Sequence, residues 1–247
     1  MPEPTPEATD QATSKSIHDL GSEFMLHQET MARAAANGYD NPFAFYFAGR
    51  GGVLGDVDAG VVCAAFGWFS PSVVRPMWEA GLAVHGAREA ATRYFSACAD
   101  WGRDHLADVE GVDRFADLAE RVVGAAEDSG RPLFAGWRRE PRVADGPGRA
   151  MQLVHVMREW RGANHLVATT AARLSPLEAV LTDPHGVPSL FGWPEPFPDV
   201  TEEQRRRHAE AEDLTDRLCA PAYEALSPSE RGEFVELVPA IFAAGTA

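Results

Sequence analysis

Helix-start signals recur along this chain and constrain its fold more than any other feature. Three segments pair a Ser or Thr with a Glu or Gln three residues later, which is the pattern of a capping box: Ser175–Glu178, Thr201–Gln204 and Ser227–Glu230. Ser70-Pro71 adds an N-cap followed by proline at the first helical position. Alternation of apolar and polar residues is unconvincing outside residues 43–47, which fit a helix equally well. The sequence therefore predicts an all-α fold, a multi-helix bundle.

Composition narrows the class of protein. Of the 247 residues, 45% are hydrophobic, which is ample for a core, and the net charge is −15. An acidic chain repels phosphate backbones and anionic membrane surfaces, so we expect neither nucleic acid nor membrane as a partner. The sequence has no apolar run long enough to cross a membrane and no secretory signal. The three widely spaced cysteines, Cys63, Cys98 and Cys219, favour a cytoplasmic protein with reduced thiols.

Proline and polar composition divide the chain into three parts. Residues 1–16 are rich in Pro, Glu, Thr and Ser and predict a disordered tail. Residues 17–172 predict a helical pocket domain whose last helix covers 151–172. Residues 173–247 predict a C-terminal helical part, in which the five prolines of 183–199 exclude regular structure before the last helices.

Polar groups are concentrated in the otherwise apolar pattern of the predicted 151–172 helix. Four ionisable side chains fall within nine residues: Arg158, Glu159, Arg161 and His165. Such groups are costly to bury unless they pair or hydrogen-bond. The spacing of Arg158, Arg161 and His165 places them along one side of a helix. The cluster is either a solvated face with salt bridges or the polar wall of a pocket. His155, four residues before Glu159, could share a ligand or a proton with it.

Other candidate site residues each have a structural and a functional interpretation. Arg50 lies in a glycine-rich stretch without the spacing of a nucleotide loop, so it belongs to a turn or offers a planar fork to an anion. His27 is a structural residue, or a general base or polar anchor. Trp68 and Trp78 are core residues or walls of a cavity for an organic ligand. Motifs for a metal, a cofactor or a catalytic nucleophile are missing, so we expect no metal and no cofactor.

Three segments together resemble an actinobacterial family of SalE-like proteins, described as winged-helix or MarR-like. They are Tyr46–Arg50 with Leu54-Gly55, Phe66–Pro71, and Arg158–His165. The third is similar to a REHRGDGH pattern, with Trp160 in place of its first His and Ala163-Asn164 in place of Asp-Gly. The resemblance covers roughly residues 17–182.

The resemblance implies a pocket rather than a particular reaction. It carries over to Arg50, Arg158, Glu159, Arg161, Gly162 and His165, with His27 as a further match in the first helix. Some members of the family sit in natural-product gene clusters, which implies secondary metabolism. After residues 178–181 this chain has a proline loop and a long acidic helix where a winged helix needs a recognition helix and a β-wing. We therefore predict a degenerate helix-turn-helix-like, or winged-helix, C-terminal part.

Our first hypothesis is a cofactor-independent enzyme of secondary metabolism, of lyase or cyclase type. It would perform acid–base elimination or ring-forming chemistry on a small polar or anionic substrate. His165 would be the general acid or base, Glu159 its partner and His27 a second proton donor. The substrate would be bound by five residues: Arg50, Arg158, Arg161, Trp68 and Trp78.

Two alternatives stay open. One is a ligand-responsive MarR-like transcription regulator that uses the same pocket as a sensor. The other is a non-catalytic subunit of a heteromeric biosynthetic complex. A homodimer is as compatible with the sequence as a heteromeric partner protein.

Overall fold

The computed structural model describes residues 3–246, which form twelve α-helices and contain no strand. In chain order the helices are α1 Pro6–Leu26, α2 Gln28–Ala36, α3 Pro42–Gly51, α4 Ala59–Phe66, α5 Pro71–Val84, α6 Ala87–Leu106, α7 Val112–Ala125, α8 Pro132–Trp137, α9 Gly146–Ala171, α10 Pro176–Thr182, α11 Glu202–Cys219 and α12 Pro228–Gly245. Two 3₁₀ turns lie at Gly52–Leu54 and Ala220–Ala225. The predicted all-α fold is confirmed. None of the described helices is long and apolar enough to span a membrane.

The predicted helix starts are present. Ser175, Thr201 and Ser227 each accept a hydrogen bond from the backbone N–H three residues later, and each capping box is complete. Ser70 caps α5 in the same way through the N–H of Ser72. A cap of this kind stabilises a helix start by about 1 kcal/mol. These starts are therefore fixed by local sequence, before any tertiary contact.

Helix α9 is the axis of the fold. It is 26 residues long, and α1, α6, α7, α8 and α11 all pack against it. Residues 150–157 are all buried, as expected for a helix surrounded on every side. The polar cluster follows, and none of its four ionisable side chains is exposed. The cluster is therefore not a solvated face, because neighbouring helices cover it.

The N-terminal segment differs from the predicted disordered tail over 1–16. Helix α1 begins at Pro6 and packs against α9, α12 and the Ala220–Ala225 turn. Four of its polar residues are buried: Thr9, Asp10, Thr13 and Ser14. The Thr9 and Thr13 hydroxyls donate to backbone carbonyls one turn earlier, at 2.9 and 2.8 Å. Polar composition therefore does not prevent burial here, since the helix itself satisfies the two threonine hydroxyls. Residues 1 and 2 of the predicted tail lie outside the described residues.

The predicted boundary near residue 172 falls in the four-residue turn between α9 and α10. Beyond it, α11 packs against α9, and α12 packs against α1 and α7. The two predicted parts therefore share a core over the described residues, with Ala247 outside them. No strand follows α10 in the part of the chain that the structure describes. The degenerate winged helix stays a prediction.

Asp10 is buried in α1, at 1% exposure, close to Arg161 of α9 and Asp216 of α11. Burial raises the pKa of Asp10 to about 7, although the nearby Arg161 opposes the shift. Its Oδ2 atom makes no hydrogen bond to the described residues. The folded protein therefore holds a proton on Asp10 that the unfolded chain releases at lower pH.

We predict that Asp10→Asn gains stability relative to the wild type as pH rises. The folded-state pKa of about 7 lies above the usual 3.8, so the contribution of Asp10 to stability is complete below about pH 4 and is lost as pH rises to about 7. Asn does not ionise. Urea unfolding at pH 5.5 and 8.5 should therefore show a relative gain of about 2 kcal/mol for the variant. Asp213→Asn, on the exposed side of α11, is the control. An equal response of both variants to pH would contradict a buried, protonated Asp10.

Candidate functional site

A cavity of about 520 Å³ opens beside the second half of α9, which is the size of a small-molecule site. Its walls come from α1, α3, α4, α8, α9, α10 and the loop after α10, and they are mainly apolar. Examples are Phe43, Phe66, Trp68, Phe69, Leu166 and Phe191. Of the six large apolar side chains that are exposed among residues 3–246, four also line the cavity: Leu26, Val61, Val187 and Leu190. Exposed apolar surface concentrated in this way is typical of a binding site.

A buried ion pair between Arg50 of α3 and Glu159 of α9 forms the polar end of the cavity. The Nε and Nη2 atoms of Arg50 donate to the two carboxylate oxygens at 2.7 and 2.9 Å, in a bidentate arrangement. Nη1 of Arg50 donates to the Tyr46 hydroxyl oxygen at 2.8 Å. The guanidinium carbon lies 4.3 Å from the centre of the Phe66 ring. Protein groups therefore occupy the fork of Arg50.

Each partner keeps the other charged. Burial opposes a charge on Glu159, but the attraction and hydrogen bonds of Arg50 outweigh it and lower the pKa of the carboxyl to about 2. Burial also opposes the charge on Arg50, yet Glu159 holds the pKa of Arg50 above its usual range. A carboxylate held in this way is a weak general base, because such a base works best with a pKa near the working pH.

Arg158 adds a second guanidinium to the polar end. Its Nη1 donates to Glu159 Oε1 and its Nε to the Ser22 hydroxyl, both at 3.2 Å, which is long for such bonds. Nη2 makes no hydrogen bond to the described residues, and the side chain is 16% exposed toward the cavity it lines. Two arginines thus share one carboxylate, which leaves a net charge of +1 at this end.

The other end of the cavity lies two helical turns further along α9, at His165. Its Nδ1 is 3.0 Å from the Thr215 hydroxyl, and its Nε2 is 3.5 Å from the Glu212 carboxylate. Its ring centre is 5.4 Å from that of Trp68. Burial lowers the pKa of His165 to about 4, although the attraction of Glu212 opposes the shift. His165 is therefore neutral at pH 7, and both ring nitrogens have neighbours on α11.

The structure brings five of the predicted site residues to one cavity: Arg50, Trp68, Arg158, Glu159 and His165. Arg161, which we expected beside them, instead donates from Nη2 to Glu212 at 2.9 Å and lies 3.6 Å from Asp216. Its position on the helix allowed either direction, and the acidic groups of α11 attract it away from the cavity.

Two further predicted site residues also lie outside the cavity. His27 caps α2, where its Nδ1 accepts a hydrogen bond from the Glu29 N–H, and its ring lies 5.8 Å from that of His105. Trp78 is 1% exposed in the core and donates to the Val57 carbonyl at 3.1 Å. Their expected roles as proton donor and cavity wall are therefore corrected to structural ones.

Sequence reasoning also missed two partners of the arginines. Tyr46 lies four residues before Arg50 on one helix, a spacing that indicates contact and could have revealed it. Ser22 carries no such signal, because α1 and α9 meet only through tertiary packing. His155 does not share a ligand with Glu159: its ring lies 4.7 Å from that of Trp137 in the aromatic core, where burial lowers its pKa to about 3.

Comparison with known proteins identifies one family. The model of a helix-turn-helix family matches residues 10–195, which are 186 of the 247 residues. No curated protein and no solved structure matches the chain. The matched residues include all those that line the cavity and stop before α11.

The family match contradicts our expectation that nucleic acid is not a partner, because the helix-turn-helix is a nucleic-acid-binding motif. That expectation came from the net charge of −15. Net charge describes the whole molecule, whereas binding depends on the charge and shape of one face. A small-molecule substrate, a homodimer and a heteromeric partner stay predictions.

We predict that Glu159→Ala lowers the free energy of unfolding by about 3–5 kcal/mol, because Arg50 loses its buried counter-charge. The double variant Arg50→Met/Glu159→Leu should recover most of this loss, since both charges are then gone. Glu79→Ala, which breaks an exposed pair with Arg75, should change stability by less than ~0.5 kcal/mol. Urea unfolding measures all three. A loss below ~1 kcal/mol for Glu159→Ala would mean that the pair is not tightly held.

Proposed function

The chain belongs to a helix-turn-helix family, and on this premise we propose that it is a ligand-responsive regulator that binds nucleic acid. The cavity would bind a small organic molecule, and its occupancy would change the affinity for DNA. One observation carries the proposal: two helices joined by a four-residue turn, α4 and α5, adjoin the cavity and fit a helix-turn-helix.

We assign the helix-turn-helix unit to α4 and α5. They are joined by the four residues Gly67–Ser70, a length typical of the motif. Gly67 begins the turn at φ 73°, a conformation that favours glycine. Helix α3 packs against α5 and forms a group of three helices with the unit. The outward side of α5 is exposed and accessible to a partner: Ser72, Arg75, Pro76 and Glu79.

The turn between α9 and α10 also has four residues, but it fits the motif less well. Helix α10 has only seven residues, and α11 covers it. Gln204 of α11 donates to Glu178 at 2.7 Å, and His208 of α11 lies 3.1 Å from the Thr182 hydroxyl. Since a recognition helix has to enter a groove of DNA, α5 is the better candidate.

The Gly67–Ser70 turn contacts the cavity through its aromatic side chains and is hydrogen-bonded to the loop after α10. Trp68 and Phe69 line the cavity. The N–H of Ser70 donates to the carbonyl of Phe191, and the indole N–H of Trp193 donates to the carbonyl of Trp68, both at 2.8 Å. A ligand that displaces these aromatic rings would therefore shift the turn, and α5 with it.

Acid–base catalysis, our first hypothesis, has less support from the geometry. Glu159 is held as a carboxylate, His165 is neutral with neighbours at both nitrogens, and His27 lies outside the cavity. The SalE-like assignment and the role in natural-product biosynthesis that it implies stay predictions.

We predict that the protein enriches a defined duplex from a random DNA library, and that α5 makes the contact. Selection at about 50 mM salt suits a chain of net charge −15, since phosphate contacts weaken as salt rises. Arg75→Glu should lower affinity for the enriched duplex at least about tenfold. Arg217→Glu, an equal charge change at an exposed position of α11, should have little effect. Anisotropy titrations measure both. Failure to enrich any sequence, or equal losses from the two variants, would contradict the proposal.

A further inference from the structure

We infer that the cavity binds an amphipathic monoanion, a molecule with a mainly apolar body and one carboxylate or similar acid group that Arg158 holds. The inference rests on the proposed ligand-binding function and names the class of ligand.

The charge at the polar end selects an anion. The fork of Arg50 is filled by Glu159 and Tyr46, so the uncompensated positive charge belongs to Arg158. Its two hydrogen bonds are long, and its Nη2 is free of described partners. The other carboxylate among the described lining residues, Asp183, lies in an exposed segment after α10 and accepts from the N–H of His185. A single acid group on a ligand would neutralise Arg158.

Gly162 provides the space for the body of the ligand. It lies in the interior of α9, where glycine is less favourable than alanine. Apart from its chain neighbours and the adjacent backbone of α9, no described atom lies within 4 Å of the position that its Cβ would take. Packing within the protein therefore does not require glycine here, and the open space beside it can hold a molecule lying along α9. The seven residues from Arg158 to His165 correspond to about 10 Å of helix, which suits a bicyclic aromatic or medium-chain acid.

The far end of the cavity selects against a second charge. Trp68 and Leu166 are apolar, and the His165 ring is neutral at pH 7. Glu212, 3.5 Å behind His165, would repel a second anionic group. The exposed apolar side chains Val61 and Leu190, which also line the cavity, favour an apolar body.

Calorimetric titration with matched pairs tests the inference: decanoate against decanamide, and 1-naphthylacetate against 1-naphthylacetamide. We expect an acid to bind at least about tenfold more tightly than its amide, because only the acid gains charge-assisted hydrogen bonds. Arg158→Gln should lower the affinity for the acid about ten- to a hundredfold and leave the amide nearly unchanged. Arg217→Gln, with the same charge change at an exposed position of α11, is the control. The acid–amide comparison on the wild-type protein keeps the test decisive if Arg158→Gln does not fold.

Gly162→Phe locates the binding. It should abolish binding of both members of a pair, while Gly162→Ala retains it and circular dichroism shows both variants folded. If acid and amide bind with equal affinity and both lose binding in Gly162→Phe, the inferred preference for a monoanion is overturned. The cavity would then still be a ligand site. If none of the four compounds binds, the inference is overturned. The proposed function as a DNA-binding regulator is tested separately, by the DNA selection. Binding of the acid unaffected by Gly162→Phe would place the site outside the cavity and overturn the inference as well.

Discussion

The Arg50–Glu159 ion pair is the interaction on which the site depends. It joins α3 to α9 across 109 residues of sequence, with side chains only 8% and 1% exposed. Removing two charges from water is costly, and the cost is offset only when geometry is good and the remaining donors are satisfied. Here the bidentate contact, the Tyr46 hydroxyl and the Phe66 face meet those conditions. The pair contributes less to net stability than to orientation, because it fixes where α3 stands against α9.

This ion pair determines the sign of the charge at the polar end of the cavity. Arg50 and Glu159 neutralise each other. The neighbouring Arg158, which also lines the cavity, therefore determines the charge that a ligand contacts. Two helical turns further along α9, His165 forms a hydrogen bond with the Thr215 hydroxyl of α11. One end of the cavity is thus positive and the other neutral. This asymmetry supports recognition of a ligand with one charged end. It also explains why Glu159 and His165, which we predicted as acid–base groups, are better suited to a binding site.

The sequence predicted local structure better than the site. Helix starts such as Ser175 and Thr201 depend on side chains a few residues away, so their pattern is sufficient. The polar cluster on α9 was also visible, because ionisable groups in an apolar helix require partners. Which partner each one takes was not predictable: Arg158 and Arg161 are three residues apart, yet one lines the cavity and the other pairs with Glu212. That choice depends on where α1 and α11 pack. The N-terminal part of α1, before residue 17, was missed since its buried polar residues look like a tail.

A crystal structure of the complex with the tightest-binding carboxylate would show directly which group holds the anion. We predict that an acid oxygen lies within hydrogen-bond distance, about 3 Å, of the Arg158 guanidinium. The apolar body should lie over Gly162, and the bidentate Arg50–Glu159 contact should remain closed. A ligand that opens this pair to reach Arg50, or that binds away from α9, would contradict an anion site at Arg158.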